Sequence, residues 1–172
     1  MNKAVDDINK QIEKSFSGVF DGVTISTKSN ITIADNMNEV NDDDHLIVFA
    51  ESPNGYYGGA NDFGGKVAFV DADYFTGWWD VCCGNHGERT TAHEMGHLFG
   101  LKHDFPFSSL MRQGGDGTKV HIEQFNNIIK NHPDGMNLGS NYNEKTGLPN
   151  TGSLGNAFRM TNTKGREKKR KK

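Results

Sequence analysis

The run HEMGHLFGLKHD at residues 93–104 constrains this chain more than any other feature. His93 and His97 are four apart, so on a helix they project from one face and can grip a single ion. Glu94 follows the first histidine on a neighbouring face. It is placed to reach a water on that ion rather than to ligate it beside both imidazoles. Gly100 can adopt a positive φ, which lets the helix stop and the chain turn sharply. The turn brings His103 back as a third ligand. Three neutral imidazoles, each about 2.0–2.1 Å from a zinc ion, leave a fourth position for water, the pattern of a catalytic rather than a structural site. Five fixed positions (His93, Glu94, His97, Gly100, His103) arise by chance in a chain of this length at on the order of 10⁻⁴ or less. The plain alternative is an amphipathic helix with incidental histidines. It would set two histidines and a glutamate beside a core without partners for them.

The rest of the chain supplies a frame for that run. Val5, Ile8, Ile12 and Phe16 recur at spacings of three and four, which predicts a helix over 3–17. Strands are predicted over 22–26, 31–34, 45–50 and 66–70, with a glycine-rich loop over 51–65. A helix over 88–99 ends at Gly100, a loop runs on through Gly117, and a last helix over 120–131 stops before Pro133. Trp78, Trp79, Cys82 and Cys83 read as core packing. With 172 residues, 34% of them hydrophobic, the chain can fill one modest core but not two. The expected organisation is one domain over 1–135 and an irregular or disordered basic tail over 136–172.

Ser109-Leu110-Met111 stands eight residues after His103. With the HExxHxxGxxH run it resembles the metzincin clan of zinc metalloproteases, whose motif is followed by a Met-turn. The Met-turn spacing is similar to that of matrixins, while Asp104 after the third histidine is similar to adamalysins, and no subfamily is assigned. The resemblance implies an α+β fold: a small twisted mixed sheet, an active-site helix, a Met-turn and a C-terminal helix. It implies a zinc endopeptidase in which His93, His97 and His103 are the ligands and Glu94 is the general base. Gly100, Asp104 and Met111 would then be structural supports, Met111 as an apolar floor and Asp104 fixing the chain after His103. It also implies a substrate lying as an extended strand along a sheet edge, expected near 66–70, with 112–119 bordering the pocket. Two features depart from the clan. No strand precedes the first helix. Arg112 and Gln113 stand where astacin-like and serralysin-like members carry a metal-approaching tyrosine, and Tyr56, Tyr57 and Tyr74 lie elsewhere. A gluzincin arrangement would recruit Glu123, but Gly100 and His103 already fill the metzincin spacing.

Charge separates the body from the tail. The net charge is −3, yet residues 164–172 alone carry +6, so residues 1–163 carry −9. An acidic body does not suit nucleic acid. The basic end could meet nucleic acid, an anionic membrane or an import receptor, or simply be solvated. Asp42, Asp43, Asp44, Asp62, Asp71 and Asp73 could hold structural calcium, although they lack the spacing of an EF-hand and a solvated loop is the simpler reading. Cys82, Cys83 and His86 offer three candidates for a second metal without a fourth. His45, His121 and His132 read as structural or surface residues. No apolar run approaches the roughly 20 residues of a membrane span. The N-terminus is charged and amphipathic, unlike a signal peptide. The expected partner is a protein or peptide substrate and the expected state a monomer. A secreted toxin or delivered effector with a narrow target is the favoured setting, and a zinc-containing binding module without activity is the rival from another class.

Overall fold

The computed structural model describes residues 2–41, 44–50, 58–60, 66–75, 85–131, 142–143 and 148–149. Helix α1 (Asn2–Ser15) opens the chain and buries Ile8 and Ile12 on one stripe, with Phe16 just beyond its end. Strands β1 (Gly18–Phe20) and β2 (Val23–Ile25) follow as an antiparallel hairpin. Its two-residue turn is Asp21-Gly22, at φ 49° and 78°. An Asp-Gly pair with both φ positive matches the right-handed twist of the strands it joins. Only the second strand was expected from the sequence.

Strands β3 (Leu46–Ala50), β4 (Gly58–Ala60) and β5 (Val67–Asp71) form a mixed sheet in the order β3-β5-β4. β3 runs parallel to β5, and β4 runs antiparallel to it. The segment 66–70, expected at the sheet edge, is therefore the middle of the sheet. Its ladder partners place it there, β3 on one edge and β4 on the other, and all five β5 residues are buried. β3 and β4 are the outer strands. β4 itself falls inside the stretch expected as a glycine loop. Gly-Gly-Ala has little strand preference of its own, but pairing with β5 overrides that weak tendency. The segment 31–34, expected as a strand, joins no ladder among the described residues: Ile31 packs on the core while Ile33 is exposed.

A 3₁₀ turn (Ala72–Phe75) follows β5. Helix α2 (His86–Leu98) packs against α1, β4 and β5, and helix α3 (Ile122–Asn131) closes the body. Gln124 accepts from the His121 backbone N–H at 2.9 Å, the reciprocal half of a capping box. The core joins Ile8, Ile12 and Phe16 to Met95, Leu98, Leu110, Met111 and Phe125. Strands β6 (Tyr142–Asn143) and β7 (Leu148–Pro149) pair within the expected tail. Tyr56, Tyr57, Asp42, Asp43, Asp62, Trp78, Trp79, Cys82, Cys83, His132 and the basic end lie outside the described residues. Among the described residues no helix is long and apolar enough to cross a membrane. The protein is thus a small α+β fold, with α2 laid across sheet and first helix alike.

Candidate metal centre

Helix α2 begins after Asn85, which sits in the left-handed region at φ 51°, a conformation Asn tolerates better than most residues. Its last two turns carry His93, Glu94 and His97, which are 7%, 5% and 6% exposed. Its end is a Schellman motif. Gly100 has φ 84°, its N–H donates to the His97 carbonyl at 2.9 Å, and the Leu101 N–H donates to the Gly96 carbonyl at 2.9 Å. A side chain at 100 would strain that turn. The turn also aims the Leu101 carbonyl back at the helix, where it accepts from His97 Nδ1 at 2.7 Å.

His93 is held in the same way from a different segment, its Nδ1 meeting the Leu110 carbonyl at 2.7 Å. A carbonyl only accepts, so both Nδ1 atoms carry the proton and both Nε2 atoms present a lone pair. These lone pairs converge with the exposed His103, the ligand nitrogens of the three all lying within 4.8 Å of one another. His97 Nε2 and His103 Nε2 are 3.2 Å apart. Two nitrogens bound tetrahedrally at about 2.0–2.1 Å from zinc stand about 3.3–3.4 Å apart. The His97–His103 pair stands close to that spacing. Burial pushes the His93 imidazole down to about 4, against the opposing pull of its Leu110 bond. Burial lowers His97 too. Neutral rings are the form that coordinates metal. The three histidines could therefore hold a metal ion such as zinc, and they form the one such cluster among the described residues.

The other expected residues fall around this cluster. Asp104 accepts from the Phe105 N–H at 2.8 Å, its backbone N–H donates to the Met111 carbonyl at 3.0 Å, and its carboxylate lies 3.7 Å from His121 Nδ1. Met111 is fully buried. Its thioether lies against Gly96, on the helical turn between the first two histidines, where an added Cβ would come within 2.3 Å of the sulfur. Arg112 donates to the Phe105 carbonyl at 2.6 Å and lies 3.3 Å from the Phe107 ring centroid. Tyr74 stacks on His86 instead of entering the cluster. Glu123 is exposed on α3 and takes no part in it. Asp71 accepts from the Asp73 N–H at 3.0 Å.

Three further residues hold these segments together. Gly96 makes room for Met111. Gly117 lets two loop segments touch, since a Cβ there would lie 2.3 Å from the Ser109 carbonyl oxygen. Arg89 donates to the carbonyls of Gly117, Leu110 and Arg112 at 2.9, 3.0 and 3.1 Å. A signal for Arg89 was present, because it stands four residues before His93 and so shares its helix face. Comparison with models of known protein families, with curated proteins and with solved structures finds no match for this chain.

Proposed function

We propose that this chain is a zinc-dependent endopeptidase of the metzincin type. The observation that carries the reading is the pinning of two buried imidazoles by backbone carbonyls so that three histidines face one point. Glu94 lies buried one residue after the first of them. His93, His97 and His103 would hold the ion. When bound, zinc supplies Lewis-acid chemistry, polarising a carbonyl and acidifying a water. The chain's own groups do the rest. A Glu94 carboxylate oxygen takes the proton of the attacking water and returns it to the leaving nitrogen. The Leu110 and Leu101 carbonyls keep the two rings in one tautomer and one orientation. Buried Met111 packs against Gly96, on the helical turn between His93 and His97. An extended peptide would add to the outer strand β4, which packs beside α2, and not to the central β5.

The test maps new peptide N-termini by mass spectrometry after the protein is mixed with a cell or secretome lysate. Glu94→Gln and a chelator-treated sample are run in parallel. New termini that need both the intact carboxylate and the metal are expected. A zinc-loaded protein that yields the same termini as Glu94→Gln would overturn the peptidase reading and leave a metal-binding module.

A further inference from the structure

Arg89 is a half-buried cation in the first turns of α2, and its guanidinium donates to three backbone carbonyls of the loop from Leu110 to Gly117. One of those carbonyls, Leu110, also receives His93 Nδ1. A carbonyl oxygen has two lone pairs, and here one goes to the guanidinium and the other to the imidazole. We propose that Arg89 is a positioning residue for the metal centre, holding the Leu110 carbonyl where it sets the ring of His93. The inference rests on the metal-binding reading of the three histidines.

The geometry carries the proposal further than a general loop brace would. Arg89 and His93 are successive residues on one face of α2, so the same helix presents both donors to the same oxygen. The planar fork can engage the three carbonyls together because its donors have fixed directions. Leu110 is anchored on its other side by its own N–H, which donates to the Lys119 carbonyl at 2.8 Å. Next to it, the Met111 N–H donates to Ser109 Oγ at 3.1 Å. Burial lowers the guanidinium pKa while Asp116 and Tyr74 oppose that shift, and an arginine stays cationic in such settings. Its charge draws three carbonyl dipoles into one cluster. Without it, the Leu110 carbonyl oxygen loses one of its two bonds, and the direction in which it meets His93 is held from the backbone side by Lys119 and no longer from the oxygen side.

The experiment measures zinc affinity by chelator competition and the visible absorption of the Co²⁺-loaded protein. The chains compared are the intact protein, Arg89→Met, Arg89→Lys and Ile8→Val. Partners one step removed from a ligand typically control 10–100-fold in metal affinity, and a loss of that size with altered cobalt bands is expected for Arg89→Met. Arg89→Lys should fall between, since an ammonium reaches one carbonyl but not three in a fixed fork. Ile8→Val removes a methyl from the core on α1, and should lose stability while keeping native affinity. Native affinity and an unchanged cobalt spectrum in Arg89→Met would overturn the proposal. An affinity loss in Ile8→Val that matches its stability loss would overturn it too, because metal binding would then only follow global stability. Should Arg89→Met fail to fold, Arg89→Lys decides: native affinity sinks the proposal and a loss of about tenfold supports it. An intact chain that binds neither metal would refute the metal reading itself, an outcome distinct from intact binding with an indifferent Arg89.

Discussion

Gly96→Ala adds one methyl group to the interior of α2. In an exposed helix the change would stabilise by about 0.8–1 kcal/mol, because alanine has the better helix propensity. Here the new Cβ would lie 2.3 Å from Met111 Sδ, 3.0 Å from Met111 Cε and 3.6 Å from Leu101 Cδ1. Ordinary contact between such atoms is about 3.5–4.0 Å, so the sulfur must retreat by about 1.2–1.7 Å. Met111 and Leu110 are fully buried and Leu101 nearly so. The Met111 backbone is tied at its N–H by Ser109 and at its carbonyl by Asp104. Methionine is the most adaptable of core side chains, which keeps the overpacking term within the usual range of about 1–3 kcal/mol. The net expectation is a loss of about 0–2 kcal/mol where a helix alone would gain about 1. A double-mutant cycle separates the two contributions. Met111→Ala alone should cost about 2–5 kcal/mol. In that background the methyl added at position 96 meets no sulfur, so its helix gain of about 1 kcal/mol returns. The coupling between the two sites should then equal the overpacking term. Urea unfolding of the four zinc-free proteins, with equal m-values, reads it out. If Gly96→Ala stabilises by about 1 kcal/mol in both backgrounds, with coupling inside the roughly 0.5 kcal/mol of independent sites, the packing argument is wrong.

Gly100→Ala must place a side chain at φ 84°. It should cost about 1–2 kcal/mol and, by disturbing the turn that aims the Leu101 carbonyl, weaken zinc binding about 10–100-fold; unchanged affinity in a chelator competition would refute the link. His103→Ala removes an exposed ligand, so zinc-free stability should stay within about 0.5 kcal/mol while zinc affinity collapses; loss of the zinc-free fold would contradict the exposed placement. For the zinc-free protein, His93 in the fold is lowered to about 4 from the ordinary 6.5. The unfolded chain therefore takes up more protons between those values, and stability present above pH 6.5 is lost as pH falls toward 4. The loss from His93 alone is about 3 kcal/mol, with His97 acting in the same direction; flat chemical stability from pH 7 to 4.5 would show that the ring is not buried neutral.

What could be read from residues alone was whatever short-range chemistry decides. The stripe of Ile8, Ile12 and Phe16 marks a helix because a 3.6-residue period is a local property. His93 and His97 share a face for the same reason, and Gly100 marks the turn because only glycine takes φ 84° without strain. At 18–25 the sequence predicts only a strand over 22–26; the hairpin through Asp21-Gly22 depends on its pairing with the three-residue strand Gly18–Phe20. The tertiary structure decided the matters that depend on a distant partner. Sheet order is one: the two-sided apolar run from Val67 to Val70 is equally a strand at the edge or in the middle until β3 and β4 arrive on either side. Gly58–Ala60 becomes a strand only by pairing with β5, while 31–34 joins no strand among the described residues. The same division holds at the histidine cluster. Ligand types and spacing lie in one stretch of 11 residues. The carbonyl that orients His93, the guanidinium that shares it and the glycine that admits Met111 depend on a loop folding back onto α2. Backbone carbonyls belong to every residue, so no pattern of side chains could have named Leu110 before that contact formed.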